Sequence, residues 1–170
     1  MCYQLVLVST LTLSEVRSML PVGTHADAMG PATQAPYRAL LPGSQTAVIL
    51  RAGHCACGLL LPRFRAAHTD EAHLRERYRV LRVPRAQVIR ALERHRRSAA
   101  ALTHAEPDAL VRLVREHARN AGESAWLLGF SAHDEPPQLP ATVAAARRVA
   151  DLASDPEGWL TEGQVTLVQR

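Results

Sequence analysis

Residues 46–63 read T-A-V-I-L-R-A-G-H-C-A-C-G-L-L-L-P-R and carry two of the three cysteines of the chain. Ala47-Val48-Ile49-Leu50 and Leu59-Leu60-Leu61 are short apolar runs bounded by turn residues, the pattern of buried strands. Between them lies Gly53-His54-Cys55-Ala56-Cys57-Gly58. A glycine at each end permits the positive φ that a tight reversal needs. The stretch therefore predicts a hairpin, with the C-x-C at its tip or at the start of its return strand.

Two cysteines at i and i+2 have few options. On an extended strand they share a face, with Cα atoms about 6.5–7 Å apart at a rise of about 3.3 Å per residue. A disulfide prefers Cα atoms about 4.4–6.8 Å apart, so a Cys55–Cys57 bond is strained unless the turn is tight. A metal fits more easily, because Zn–S bonds of about 2.3 Å leave the sulfurs well separated. Two thiolates do not close a site. Cys2 is a candidate third ligand if the first strand lies beside this hairpin, and His54 a candidate fourth. Free cysteines also pack as small hydrophobes, and an exposed thiolate can do redox chemistry. The spacing matches neither the C-x-x-C of thioredoxin-like sites nor a paired zinc ribbon.

Length and composition set the frame. A chain of 170 residues with 47% apolar content has the size and character of one domain, 1–170. Aromatic residues are only 4%, so leucine, valine and alanine must build the core. All 20 basic residues are arginine and none is lysine, a bias that GC-rich codon usage produces. Lysine-dependent chemistry is thereby excluded. A net charge of +4 leans mildly toward polyanions or acidic partners. Three cysteines do not suggest a disulfide framework, so reduced thiols and a cytoplasmic location are expected. No secretory signal is legible, and no apolar run approaches the ~20 residues of a membrane helix.

Working outward, Tyr3 to Ser9 reads as a strand with apolar residues on both faces, hence central and covered. Alternation puts Cys2 on the face of Gln4 and Val6. Ser14 is the expected N-cap of a short helix, Glu15 to Leu20. Residues 22–45 carry Gly23, Gly30, Pro31, Pro36, Pro42 and Gly43 and read as a long loop, with His25 and Asp27 within reach of a site. Thr69 is the expected cap of a helix to Leu81, with Leu74, Tyr78 and Leu81 inward. A second helix runs from Pro84 to Arg97. Together these helices carry nine arginines, of which Arg75, Arg79, Arg82 and Arg90 could face nucleic acid; a salt-bridged, solvated surface is the plainer reading.

Pro107 and Asp108 start the cleanest helix, ended by Gly122, with His117 on its apolar stripe as a hydrogen-bonded core residue or a ligand. Ser124 to Ser131 reads as a strand, Pro140 to Ala153 as a helix and Gly163 to Val168 as the last strand. Phosphate-loop, G-x-S-x-G and H-E-x-x-H motifs are absent.

Three features taken together resemble a known pattern. The chain begins Met1-Cys2 before a strand, carries H-C-A-C-G-L near one third of its length, and ends D-P-E-G-W-L-T-E-G-Q-V-T-L-V. This is similar to a bacterial family of small proteins with an N-terminal Met-Cys and a Gly-Cys-Gly-Cys-Gly-Phe motif. Here His54 and Ala56 replace the glycines before each cysteine, and Leu59 replaces the aromatic. The family's tryptophan-bearing late strand corresponds to Ala125–Ser131, with Phe130. The resemblance implies that Cys2 goes together with Cys55 and Cys57. It implies no reaction.

The expected fold is α+β, with about five mostly antiparallel strands and helices packed on them. The leading functional expectation is a zinc ion, structural or sensory, held by Cys2, Cys55, Cys57 and His54. A reactive-thiol protein and a nucleic-acid or acidic-partner binder on the arginine helices are the alternatives.

Overall fold

The structure is a computed structural model describing residues 2–53, 56–60, 70–101, 108–131, 136–140, 143–153 and 158–170. Its centre is strand β1 (Cys2–Ser9), where Leu5, Val6 and Leu7 have no solvent exposure. A strand apolar on both faces must be covered on both, and β1 is flanked by β3 (Thr46–Ala52) and β4 (Glu123–Ser131), both antiparallel to it. The sheet has six strands in the order β2-β3-β1-β4-β6-β5, with β2 at Thr24–Ala28, β5 at Val143–Arg148 and β6 at Val165–Gln169. Among the described strands only the β5–β6 pairing is parallel, with one isolated parallel bridge between Leu128 and Glu162. The α+β expectation holds, with one strand more than expected.

Alternation along the strands makes two cores. One face carries Tyr3, Leu5, Leu7, Val48, Leu50, Trp126 and Leu128 beneath Leu110, Leu113 and Val114 of helix α5 (Ala109–Ala121). The other carries Val6, Val8, Ala47, Ile49, Ala125 and Leu127 against Tyr37 and Leu41, which belong to and follow helix α2 (Pro31–Arg38). A smaller cluster, Leu74, Tyr78, Ala91 and Leu92, joins helices α3 (Glu71–Val80) and α4 (Arg85–Ala101) and meets the sheet through Phe130. A Leu→Ala change on β1 would cost about 2–5 kcal/mol at such fully buried positions.

Of the expected return strand Leu59-Leu60-Leu61, the described residues Leu59 and Leu60 form a turn and not a strand, and Leu61 lies outside the described residues. After β3 the chain turns at Gly53, whose φ of 71° is the left-handed conformation glycine permits, and Ala56–Gly58 is a 3-10 turn. Leu59 and Leu60 are buried beneath the Tyr3, Leu5 and Leu7 face, with the Leu59 amide donating to Ala56 O at 2.9 Å. A short apolar run reports burial and does not by itself distinguish strand from packed turn.

Residues 22–45 are not one loop: they contain β2 and α2. On β2 only Ala26 is buried, so an edge strand leaves little pattern to read. In α2, Pro31 sits in the first turn, where its missing N–H costs nothing. The helix expected from Pro140 to Ala153 is instead β5 followed by a 3-10 segment, Val149–Ala153. Its alanines favour helix intrinsically, but pairing with β6 overrides that weak preference.

Helix boundaries shift for reasons of capping. Helix α1 is Leu13–Ser18, capped by Thr12: the Thr12 amide donates to Glu15 Oε2 at 2.8 Å, and the Glu15 amide donates to Thr12 Oγ1 at 3.3 Å. This reciprocal capping box displaces the expected Ser14 cap. Helix α3 is capped by Asp70, whose Oδ1 accepts from the Ala72 and His73 amides at 2.9 and 3.3 Å, and Thr69 lies outside the described residues. Among the described residues, no helix is long and apolar enough to cross a membrane.

Candidate functional site

The sequence nominates Cys2, His54, Cys55 and Cys57. Strand register sets the positions that can be compared. Leu5 pairs with Leu50 and Val6 with Ile49. Continued three steps, that register brings Cys2 level with Gly53, the residue that opens the turn. Across the other edge of β1, Cys2 pairs with Ser131 of β4. The 3-10 turn containing Cys57 lies against both β1 and β3. The main chain at Cys2 and at Cys57 therefore belongs to neighbouring elements at one end of the sheet. The side chains of Cys2 and Cys57, and all of His54 and Cys55, lie outside the described residues. Among the described side chains no three metal-ligating groups come together.

The turn is held firmly. Ala56, Leu59 and Leu60 are at most 1% exposed, so its apolar side is sunk in the core. They pack on the Tyr3, Leu5 and Leu7 face, whereas Gln4, Val6 and Val8 occupy the opposite face of β1.

Close by runs a polar strip. Gln4 is 1% exposed and its Oε1 has no hydrogen-bond partner among the described residues. The register that levels Cys2 with Gly53 levels Gln4 with Arg51. Arg51 Nε lies 3.0 Å from Asp27 Oδ2, and His25 Nε2 lies 3.9 Å from the same oxygen. The 3.0 Å contact is an ion pair across the β2–β3 edge. His25 and Asp27, expected in a loop, are thus on the edge strand β2, two strand spacings or about 10 Å from β1.

His117 is elsewhere. It is fully buried on α5, with Nε2 2.7 Å from Ser9 Oγ and its ring edge-on to Trp126 at 6.1 Å. Burial pushes its pKa down to about 4, so the imidazole is neutral near pH 7. Ser9 and Cys2 are at opposite ends of β1, about 23 Å apart at the rise of an extended strand. His117 is the buried, hydrogen-bonded core residue that its place on an apolar stripe predicts.

The arginine-bearing helices are already partly neutralised. Arg75 Nη2 lies 2.9 Å from Glu71 Oε2, Arg96 Nε 2.5 Å from Glu71 Oε1, and Arg79 Nη2 2.5 Å from Glu76 Oε1. Arg82, Arg85 and Arg90 are exposed. Arg77 behaves differently. Its guanidinium forms a two-pronged ion pair with Glu162 and stacks over Phe130 at 4.2 Å and Tyr3 at 5.7 Å. Counting arginines does not single it out. Its spacing does: Leu74, Arg77 and Tyr78 lie at i, i+3 and i+4 on one helix face.

The chain matches no family model, no curated protein and no solved structure. What the geometry defines is a class: an α+β protein with a six-stranded mixed sheet whose cysteine-bearing strand and turn meet at one end.

Proposed function

We propose that the protein binds a zinc ion through Cys2, Cys55 and Cys57, with His54 as fourth ligand, and that the ion has a structural or sensory role. The observation that carries this reading is the adjacency of β1 and the 56–58 turn, which brings two cysteine-bearing segments, 55 residues apart in sequence, to one end of the sheet. The donor set suits the metal. Three soft thiolates and an imidazole match the Cys3His structural zinc site, which is tetrahedral and closed. Such a site would tie the N-terminal strand to the turn and would work with reduced thiols, as in the cytoplasm. The resemblance to Met-Cys proteins supports the same grouping of Cys2 with the C-x-C.

The arginine helices are the lesser reading, because Arg75, Arg79 and Arg96 already have carboxylate partners. A reactive thiol is the reading that experiment must separate from zinc. Protein purified without a histidine tag is expected to carry about one zinc per chain, and Cys55→Ser to carry little. Substoichiometric zinc unchanged by Cys55→Ser, together with a thiol titrating well below ~8.5, would replace the metal by thiol chemistry.

A further inference from the structure

A cleft of about 340 Å³ opens between α5 and the 149–153 segment. Its walls are Arg115, Ala118 and Arg119 of α5, Val149 and Ala150 opposite, and Arg170. We propose that this cleft binds a small phosphorylated molecule.

The case rests on charge that no ion pair among the described residues compensates. Arg115 and Arg119 are four residues apart on one helix and so project side by side. Arg170 is brought to the same place by β6, its amide donating to Gly122 O at 3.0 Å. No ion pair or hydrogen bond engages the three guanidiniums among the described residues. This is unlike Arg75, Arg77, Arg79 and Arg96, each of which has a carboxylate. Two described carboxylates on the adjoining segments are engaged elsewhere. Asp151 Oδ2 accepts from the Arg148 amide at 3.3 Å, and Glu123 Oε1 accepts from Gln169 Nε2 at 2.8 Å. Glu116 lies beside Arg115 in sequence but on an exposed flank of the helix.

Like charges at i and i+4 repel by a few tenths of a kcal/mol. Favourable interaction with the C-terminal end of the helix dipole accounts for Arg119, which lies in the last turn, but not for three cations around one concavity. Guanidinium forks match phosphate oxygens in two-pronged geometry. The volume falls at the lower end of the range for small-molecule sites. Val149 and Ala150 offer an apolar wall for the non-phosphate part of the ligand.

Inorganic pyrophosphate, titrated calorimetrically at low ionic strength, is the probe. One site per chain is expected. Arg115→Gln/Arg119→Gln should weaken it at least tenfold, and Arg90→Gln, on an exposed arginine of α4, should leave it unchanged. Circular dichroism establishes that each variant is folded. No saturable binding, equal binding by the double variant, or an equal loss in Arg90→Gln would each overturn the assignment. So would an oligonucleotide that binds far more tightly than pyrophosphate through the same two arginines. The double variant leaves the thiol end intact, so any heat from pyrophosphate meeting bound zinc survives in it and is not counted as binding to the cleft.

Discussion

Ser9 Oγ and His117 Nε2, 108 positions apart in the chain, lie 2.7 Å apart with both residues fully buried. Ser9 also accepts from the Leu11 amide at 2.9 Å, so one hydroxyl fixes the end of the central strand, the next turn and helix α5. His117 Nδ1 has no hydrogen-bond partner among the described residues, and a charged imidazole in that buried place would be desolvated. Hence burial lowers its pKa to about 4 from 6.5. The unfolded chain therefore binds a proton at a pH where the folded chain does not. The stabilisation is fully present above about pH 6.5 and is lost as pH falls toward 4, by on the order of 3 kcal/mol in all. Urea midpoints measured from pH 7 to pH 4 should fall less steeply for His117→Gln than for the parent. Parallel slopes would remove this account.

Arg77 should be irreplaceable by lysine. The pair with Glu162 uses two guanidinium nitrogens, and the same plane stacks on Phe130. An ammonium keeps the charge but loses the fork and the flat face. Both partners are about one quarter to one third exposed, so solvent screens part of the attraction. Arg77→Lys should destabilise by roughly 1–2 kcal/mol. A double-mutant cycle of Arg77→Met with Glu162→Gln should return a coupling of about 1 kcal/mol. A coupling near zero would make the pair incidental, and the stacking alone would then hold α3 to the sheet.

Gly129 faces a rigid neighbour. A Cβ built there would lie 2.2 Å from Pro137 Cβ. Pro137 has little freedom to withdraw, since its carbonyl accepts from the Tyr37 hydroxyl and it is itself buried. Gly129→Ala should cost at least about 1–3 kcal/mol, the usual penalty for overpacking, read as a lower thermal midpoint. Tyr37→Phe frees the proline carbonyl, so in that background the glycine substitution should cost less.

The parts of the fold legible in the sequence are those whose residues carry their own burial. Strands β1, β3 and β4 and helix α5 are apolar in the pattern that their position demands, and periodicity finds them. Strands β2 and β5 lie at the sheet edges, where one neighbour's hydrogen bonds decide the conformation and few side chains are buried. An edge strand such as V-A-A-A-R-R has nothing to distinguish it from a helix until β6 is placed beside it. The same limit applies to sites. That β1 neighbours β3 and the 56–58 turn after it follows from two buried strands pairing, which sequence can anticipate. The Ser9–His117 contact and the Arg115, Arg119 and Arg170 cleft depend on how α5 crosses the sheet and where β6 ends, and no local pattern encodes either.

The zinc reading makes a prediction about stability that differs from one about content. A metal ligated from β1 and from the turn would cross-link two segments in the folded chain alone, and binding free energy would then add to folding free energy. Chelation of the parent protein should lower its thermal midpoint by about 5 °C or more, since about 1 kcal/mol corresponds to a few degrees at this chain length. Cys2→Ser should show the lower midpoint from the start and respond little to chelator. Core packing of a small hydrophobe predicts the same lower midpoint for Cys2→Ser, but a parent protein that chelator leaves untouched. The two experiments together therefore separate a thiol that is buried from a thiol that is a ligand, whatever else Cys55 and Cys57 do.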